Sequence, residues 1–313
     1  MPTTLRLARR RLGSVTGIFF VSTTTGIASA ADYLVLGDLA DVDADTAKLS
    51  RYYAMPTSTT TSNTGVVRRI RKDGFTAATG NTRVVAAYSS ATSSGIEVEI
   101  YGPLPPKDAD GRIGLHTAIN RALAECWSID MLSITPSTSG QSTYSLSTVA
   151  EWIISDQQIV DLWFRRSGST ADELMPEWRY QADVDSGQLE IRGVSLSTTD
   201  TLKPKVYRPL DRWIEVNSTW ANSTSGLVND SDRCLLSEDG IEAVGRAHVY
   251  KALALIGDVD GRQMDRNDAN LARQDANRWK HANLPREFGR PVHWYRARSL
   301  TAAGPWPREG SLG

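Results

Sequence analysis

The chain contains a short amphipathic stretch around which the rest of the fold can be organised, and it reads Gly111-Arg112-Ile113-Gly114-Leu115-His116-Thr117-Ala118-Ile119-Asn120-Arg121-Ala122-Leu123-Ala124-Glu125-Cys126-Trp127. Its apolar residues recur three and four positions apart, which places them on one face of a helix. A proline-rich break, Pro103-Leu104-Pro105-Pro106, comes before it and ends the preceding pattern. The stretch therefore predicts a helix with one buried face.

On the N-terminal side of this helix, short runs rich in Val, Ile, Thr and Tyr alternate with Gly and Asn turns. The run 95–101 has apolar residues at every second position, which is the period of a half-buried strand. Glu97 and Glu99 are then expected on its solvent face. Residues 15–103 are predicted to form an antiparallel β-module, and similar runs further along predict a second one at 140–236.

Two more helices are predicted in the C-terminal third. The first, Glu238–Ile256, follows the capping residue Ser237 and stops before Gly257. His248 on this helix is expected to be a buried, hydrogen-bonded packing residue. The second, at about 262–282, has only a thin apolar stripe, so its charged residues form either a solvated face or a subunit interface. The interface candidates are Arg262, Asp265, Arg266, Asp268, Arg273, Asp275 and Arg278.

Both ends of the chain are basic and are predicted to be arms. Residues 1–14 carry several arginines ahead of an expected strand at 15–21; this region imitates a secretory signal, but polar residues dilute its apolar part. The tail, 284–313, is rich in proline and is expected to be extended. Its aromatic and basic side chains would then dock onto a partner. The candidates for partner binding are Phe288, Arg290, Trp294, Tyr295, Arg296, Arg298 and Trp306.

The composition is that of a nearly neutral globular protein. The 313 residues include 35 basic and 36 acidic side chains, which leaves no overall field to attract nucleic acid or an anionic membrane. No run approaches the ~20 apolar residues that span a bilayer, so no membrane partner is predicted. The two cysteines and four histidines lie far apart in sequence, which argues against a disulfide framework or a metal cluster.

Motifs for known chemistry are not found in the sequence. It has no Gly-x-Ser-x-Gly elbow, no Gly-x-x-x-x-Gly-Lys loop and no Gly-x-Gly-x-x-Gly after a strand. Asp41-Val42-Asp43-Ala44-Asp45 opens like a calcium loop, but Thr46 stands where the turn needs Gly and Tyr52 where a Glu should be. We therefore predict no catalytic, cofactor-binding or metal-binding residues and no enzymatic activity, although an active site assembled from distant residues stays open.

The order of the elements resembles that of the head-to-tail connector (adaptor) proteins of tailed bacteriophages. A β-module that closes with Val66-Val67-Arg68-Arg69-Ile70 is followed by a proline-bounded break and then by the helix with Ala118-Ile119-Asn120. Two later helices follow, with Ala243-Val244-Gly245-Arg246-Ala247 and Asp275-Ala276-Asn277-Arg278-Trp279. The resemblance extends over roughly two thirds of the chain and is carried by the order of these motifs.

The resemblance implies an α+β fold: a helical bundle of about three long helices with large antiparallel β-modules and extended N- and C-terminal arms. The expected segments are a basic arm (1–14), a β-rich module (15–103), the helix and loop of the adaptor core (104–139), a second β-module (140–236), a helical hairpin of the core (237–283) and an extended tail (284–313).

The function implied by the resemblance is that of a structural virion protein. Such a protein, assembled in the host cytoplasm into the neck or tail of the virion, forms a ring, usually of twelve copies. The ring joins the portal protein to the next neck or tail protein or to tail fibres, and genomic DNA passes through its channel without sequence-specific binding. No cofactor is implied. The alternative is a secreted carbohydrate-binding or carbohydrate-degrading β-rich protein that uses some of the nine Trp residues, such as Trp213 and Trp220.

Overall fold

The computed structural model describes most of the chain between residues 2 and 285, namely residues 2–15, 19–26, 28, 30–37, 52–58, 62–76, 79–181, 187–256, 258–259, 262–263 and 266–285. About 33% of these residues lie in strands and about 28% in helices. The protein is therefore a β-rich α+β protein.

Within the described residues there are four helices longer than one turn: α1 (Leu5–Val15), α2 (Leu115–Ala124), α3 (Glu238–Ile256) and α4 (Arg266–Asn283). The strands are β1 (Thr3–Thr4), β2 (Phe19–Thr23), β3 (Tyr33–Val35), β4 (Tyr53–Pro56), β5 (Arg68–Thr76), β6 (Asn81–Val84), β7 (Glu97–Tyr101), β8 (Trp127–Met131), β9 (Thr143–Ser145), β10 (Ile159–Arg165), β11 (Glu173–Leu174), β12 (Glu177–Gln181), β13 (Gln188–Arg192), β14 (Thr201–Pro209), β15 (Trp213–Val216), β16 (Thr219–Asn222), β17 (Arg233–Cys234), β18 (Asp258–Val259) and β19 (Arg262–Gln263).

The predicted bundle of about three long helices is wrong. Only α3 and α4, with 19 and 18 residues, are long, whereas α2 has 10 residues. The strands account for more of the described chain than the helices do. The physical reason is that strands such as β10, β13 and β14 alternate buried and more exposed side chains at the period of two, so that their apolar residues form a core against a sheet.

The chain divides into two compact units. Among the described residues, the first contains those of Met1–Cys126 and Leu210–Leu284, and the second contains those of Trp127–Pro209. The sequence placed the second β-module at 140–236. The boundary is different because β8, directly after α2, pairs along its length with β14, and because β15, β16 and β17 belong to the first unit.

In the first unit a six-stranded antiparallel sheet has the order β2-β7-β4-β5-β6-β3. One face holds an apolar core that includes Leu34, Ala54, Ile70, Val98 and Ile100. These residues alternate with side chains that point to the opposite face of the sheet. The sheet is therefore buried on both sides in the region of β7, since α1 packs against that opposite face.

Helix α1 corrects the prediction of an extended basic arm at 1–14. Leu5, Ala8 and Leu12 are buried, and α1 contacts α2, α3 and β2. The close approach to α3 depends on a glycine, because a Cβ at Gly245 would lie 2.7 Å from Leu12 Cδ1. The strand expected at 15–21 instead begins at Phe19.

A small sheet fixes the N-terminus to a distant part of the first unit. Its order is β1-β17-β15-β16, and Thr3 pairs with Cys234 across β1 and β17. The backbone N–H of Leu5 donates to the carbonyl of Asp232 at 2.9 Å. The start of α1 is thus held by the chain that leads into α3.

The second unit contains two antiparallel sheets, β11-β10-β14-β8 and β12-β13-β9. Side chains of both sheets, among them Leu162, Trp178, Leu189 and Val206, belong to one buried apolar cluster. This unit is inserted in the sequence between α2 and the strands that precede α3.

Candidate assembly surface

Helix α4 exposes most of its length, as expected for a helix with a thin apolar stripe. Its buried residues are Ala272 and Ala276, one turn apart. A Cβ at Gly240 of α3 would lie 2.6 Å from Trp279 Cη2, so the indole ring packs directly on the α3 backbone. Small residues therefore bring α3 and α4 close together while leaving the outer surface of α4 to solvent.

Five of the seven residues predicted for a subunit interface lie on α4. Four are exposed and one is partly exposed: Arg266, Arg273, Asp275, Arg278 and Asp268. Of the other two, Arg262 lies in β19, where only the backbone is described, and Asp265 lies outside the described residues. The exposed set carries both signs of charge, which suits a surface that meets charged groups of both signs on a neighbour.

One of these residues, Arg273, is already part of an ion cluster within the chain. Its Nη1 donates to Glu125 Oε2 at 2.5 Å, and Lys280 Nζ donates to the same oxygen at 3.1 Å. Burial alone would raise the pKa of the Glu125 carboxyl, but the hydrogen bonds from Arg273 and Lys280 outweigh it and hold that pKa below its usual value. Glu125 is therefore ionised and joins the end of α2 to α4.

His248 of α3 lies next to this cluster. Its Nε2 is 3.2 Å from Glu125 Oε1, although the angle does not make a hydrogen bond and Nε2 has no such partner among the described residues. Burial lowers the pKa of the imidazole in spite of the Glu125 charge, so the ring is neutral at pH 7. The prediction of a buried, hydrogen-bonded packing residue is therefore wrong in part, because the ring is only partly buried, lines a cleft and has no hydrogen-bond partner for Nε2 among the described residues.

A cleft of about 540 Å³ opens beside the ion cluster. Its lining includes Ala247, Ala254 and Ala269, which are apolar, and two cations, Lys251 and Arg266. Among the described residues, neither cation has a hydrogen-bond or ion-pair partner. The cleft thus combines uncompensated positive charge with apolar surface.

Two exposed leucines flank this part of the molecule. Leu255, which lines the cleft, is 78% exposed, and Leu271 on α4 is 59% exposed. Single exposed apolar residues are ordinary on protein surfaces. Here two large apolar side chains lie beside a cleft whose positive charge is only partly balanced by the described residues. We therefore choose this region as the candidate assembly surface. It consists of the exposed residues of α4 together with Lys251 and Leu255 of α3.

The N-terminal arginines, in contrast, are used within the chain. Arg9 is fully buried, and its guanidinium contacts Glu99 Oε2 at 2.9 Å and Asp230 Oδ1 at 2.6 Å. Arg10 Nε donates to Glu99 Oε1 at 2.7 Å, and the Tyr101 hydroxyl donates to Glu99 Oε2 at 2.5 Å. We call Arg6, Arg9, Arg10, Glu97, Glu99, Tyr101 and Asp230 the arginine network. The network attaches α1 to the six-stranded sheet through ion pairs and hydrogen bonds. Arg6, Arg9 and Arg10 are therefore not available to an external partner.

The prediction that Glu99 faces solvent is consequently wrong, since its side chain is fully buried. The alternation along β7 was interpreted correctly, but α1 covers the face that was assigned to water. Burial alone would raise the pKa of Glu99, and the charge of Arg9 together with hydrogen bonds from Tyr101 and Arg10 lowers it below the usual value. The carboxylate is therefore ionised inside the protein.

Asn120, part of the motif that carries the family resemblance, has a structural role. Its Nδ2 donates to the Leu227 carbonyl at 3.0 Å, and its Oδ1 accepts from the Leu227 N–H at 2.9 Å. Gly226 has φ +68, and a Cβ there would lie 2.5 Å from Asn120 Oδ1. One amide side chain thus replaces a strand partner for Leu227 and fixes the loop before β17 to α2.

The tryptophans that were left open in the sequence lie side by side on a hairpin. The rings of Trp213 in β15 and Trp220 in β16 are nearly parallel, with centroids 6.5 Å apart and an interplanar angle of 18°. Both are partly exposed. Asn217 and Ser218 form the tight turn between the strands, both with positive φ.

Neither cysteine is a nucleophile. Both thiols are buried and free, and burial raises the pKa of Cys126 to about 12 and that of Cys234 to about 11. They therefore stay protonated at neutral pH.

No protein-family model, curated protein or solved structure matches the chain. The function must therefore be inferred from the residues and their geometry.

Three further findings bear on the predicted sites. Within the described part of the chain, no group of three His, Cys, Asp or Glu side chains is placed to hold a metal ion. The helices described here include none with the length and apolar character needed to cross a membrane. The residues predicted to bind a partner, Phe288, Arg290, Trp294, Tyr295, Arg296, Arg298 and Trp306, all lie outside the described residues.

The sequence did not single out Lys251, Glu125 or Leu255. A signal for part of this set was present, because Ala247, Lys251 and Leu255 are spaced four apart and share one stripe of α3. The charge of Lys251 on a stripe that also carries apolar residues marks a surface at the edge of the core. The contribution of α4 to the cleft could not be predicted, because it depends on how the two helices pack.

Proposed function

We propose that this chain is a structural virion protein, a subunit of a head-to-tail connector ring. In this function, neighbouring copies meet through the candidate assembly surface, and the ring joins the portal protein to the next component of the neck or tail. DNA passes through the channel without sequence-specific binding. The observation that carries the proposal is the exposed, two-signed outer surface of α4, together with the exposed Leu271 of α4 and Leu255 of α3.

Leaving apolar side chains of this surface in water has a free-energy cost. Burying a leucine side chain is worth about 1.5–3 kcal/mol, and 59% of Leu271 and 78% of Leu255 remain accessible. A closed ring brings the same surface of every copy against a neighbour, so each burial is repeated around the assembly. Charges of both signs fix the register of such a contact and discourage other partners.

The order of elements adds support from the sequence. The chain has a β-rich region, then a short helix with Ala118-Ile119-Asn120, and then two later helices. This is the order of elements in the connector family that the sequence resembles. Strands separate these helices in the first unit, and a second β unit is inserted after α2. We propose that these β parts contact the next neck or tail component.

The test is assembly with the portal protein, using a substitution on the candidate assembly surface. Leu271→Glu in the full chain is expected to leave the monomer folded, because Leu271 is exposed, and to reduce ring formation on purified portal protein. Ile154→Glu is the matched control, since Ile154 is 77% exposed but belongs to the second unit. Native mass spectrometry measures the copy number for each variant. Rings of Leu271→Glu with wild-type stability would contradict the proposal.

The tail is proposed to anchor the chain to the portal. Leu284 is buried, so a deletion should begin after it, at residue 286. The deletion is expected to abolish portal binding and to leave the fold intact, and Trp294→Ala is expected to weaken binding by ~1–3 kcal/mol if the indole is an anchor. Unchanged portal binding by the truncated chain would show that the tail is not the anchor.

A second candidate function is carbohydrate binding, which the paired rings of Trp213 and Trp220 support. Parallel, partly exposed indole rings offer an apolar surface for stacking against a sugar ring. Binding of an oligosaccharide that is lost in Trp220→Ala, measured by calorimetry, would favour this function. An intact mass that shows residues 3–30 retained in the native protein would argue against the secreted form of it.

A further inference from the structure

The cleft between α3 and α4 has a positive charge that the described residues do not balance. Glu125 is the acidic residue in its lining, and it is already engaged by Arg273 and Lys280. Lys251 and Arg266 remain, with no partner among the described residues and both exposed. His248 adds no negative charge, so the cleft is cationic at neutral pH.

The apolar part of the cleft limits what it can bind. Ala247, Ala254, Ala269 and Leu255 line it together with the cations, and its volume of about 540 Å³ is large enough for a few side chains. A small inorganic anion would leave these apolar side chains exposed to water. The better fit is a peptide segment in which carboxylates alternate with aliphatic side chains.

The chain itself contains such a segment. Residues 38–45 read Asp38-Leu39-Ala40-Asp41-Val42-Asp43-Ala44-Asp45, with four carboxylates and two larger aliphatic side chains. These residues lie outside the described part of the chain. The stretch has Thr46 and Tyr52 where a calcium loop needs Gly and Glu, so the sequence favours solvated carboxylates over a metal site here.

We propose that the cationic cleft of one copy receives residues 38–45 of a neighbouring copy. The inference rests on the proposed ring, in which one surface of a copy contacts a different surface of the next. Lys251 and Arg266 bind carboxylates of the segment, and the alanines and Leu255 contact Leu39 and Val42. The cleft would then account for the acidic stretch and the unbalanced cations together.

DNA is the competing ligand for a cationic cleft, but the geometry disfavours it. Two unpaired cations release only about two counterions from a duplex, whereas proteins that bind DNA usefully make several phosphate contacts. The experiment includes a DNA fragment so that this outcome can be recognised.

The first experiment measures binding of a labelled peptide with the sequence of residues 38–45 to the full-length protein by fluorescence anisotropy. The peptide is expected to bind, and the double variant Lys251→Ala/Arg266→Ala is expected to weaken it about tenfold or more, because two charge contacts are lost. Arg278→Ala is the control, because Arg278 is exposed on α4, the helix that carries Arg266, but does not line the cleft. A peptide with Asn in place of every Asp is expected not to bind.

Three results of this experiment would overturn the proposal. They are no binding of the peptide by the wild-type chain, equal binding by the double variant, and displacement of the peptide from the cleft by a short DNA duplex at lower concentration than by unlabelled peptide.

The second experiment asks whether the segment acts between copies. One variant carries Lys251→Ala/Arg266→Ala and another carries Asp38→Asn/Asp41→Asn/Asp43→Asn/Asp45→Asn. Each variant alone lacks the contact, but a mixture retains one intact cleft opposite one intact segment. The mixture is expected to form a one-to-one dimer in analytical ultracentrifugation at concentrations above the peptide dissociation constant. No dimer in the mixture would show that the contact does not form between copies.

The two proposals can fail separately. If the wild-type chain forms rings on the portal but the peptide does not bind, the cleft proposal is wrong and the connector proposal stands. If the peptide binds as expected but no ring forms on the portal, the cleft proposal stands and the connector function is wrong.

Discussion

Replacing Glu99 by Gln removes the carboxylate at the centre of the arginine network while keeping the size of the side chain. In the folded protein this carboxylate accepts from Arg9 Nη2 at 2.9 Å, Arg10 Nε at 2.7 Å and the Tyr101 hydroxyl at 2.5 Å. A Gln side chain has one acceptor oxygen, and its NH₂ would face guanidinium donors. Arg9 would therefore keep its charge in a fully buried position with one anionic partner fewer.

The expected cost follows from burial. Removing one partner of a buried ion pair costs about 3–5 kcal/mol because the other charge is left uncompensated. Arg9 retains two contacts to Asp230, at 2.6 and 2.9 Å, so we expect the lower end of that range, about 3 kcal/mol. The control is Glu97→Gln, which also removes a carboxylate from the network but at a side chain that is 39% exposed; less than about 1 kcal/mol is expected there.

The assay is hydrogen exchange followed by mass spectrometry, because it reads the two units separately. Amides of the first unit, including those of α1 (residues 5–15), are expected to lose about 3 kcal/mol of protection in Glu99→Gln. Amides of the second unit, 127–209, serve as the internal reference. A loss below about 0.5 kcal/mol, or one no larger than that of Glu97→Gln, would refute the view that the network stabilises the first unit.

Three other outcomes follow from the same contacts. Folding lowers the pKa of Glu99, so its carboxylate stabilises the protein above the unfolded pKa of about 4.3, and this stabilisation is lost as the pH falls through the folded pKa. In urea titrations from pH 7 to 3, the difference in unfolding free energy between the wild type and Glu99→Gln should shrink below about pH 4. Asn120→Ala should cost about 1–3 kcal/mol in urea unfolding, because the buried Leu227 N–H loses its acceptor, and a change under ~0.5 kcal/mol would contradict the role of Asn120. Gly245→Ala should lower the melting temperature, because its Cβ would lie 2.7 Å from Leu12 Cδ1, although alanine favours helices. Calorimetry should show that adding Leu12→Val partly restores the melting temperature, and no restoration would rule out the clash.

Local signals in the sequence were sufficient to predict α3, whereas the next helix was predicted to begin at about residue 262 and α4 begins at Arg266, after the strand β19 at Arg262–Gln263. Helix α3 has the predicted bounds, Glu238–Ile256, because its start and stop are encoded locally: the Gly240 N–H donates to Ser237 Oγ at 3.2 Å, and Gly257 follows its last residue. The thin apolar stripe of α4 likewise predicted that few of its side chains are buried. Caps and periodicity involve residues within a few positions of each other, and these can be predicted without a tertiary structure.

Helix α1 was not predicted, because the several arginines of this segment were interpreted as a basic arm and the helical spacing of Leu5, Ala8 and Leu12 was not considered. This spacing is helical, but a buried Arg9 is stable only beside Glu99 and Asp230, which lie 90 and 221 positions away. The same long-range contact decides that Glu99 is buried. Alternation along a strand separates its two faces, but what covers each face depends on tertiary packing.

The candidate assembly surface could be predicted only in part for the same reason. The charged residues of α4 were identified from the composition of one helix. The cleft needs Lys251 of α3 and Arg266 of α4, whose proximity depends on the small residues that let the two helices pack. The inserted β unit was displaced in the prediction because β8 and β14, which define its boundaries, are separated by about 70 residues of sequence.

The most direct test of the connector function is the mass and symmetry of the complex that the full-length chain forms with the portal protein, determined by native mass spectrometry and electron microscopy. The connector function predicts a closed ring with one copy of this chain per portal subunit, twelve on a twelvefold portal. A chain that stays monomeric beside the portal, or that binds without forming a ring, would contradict it.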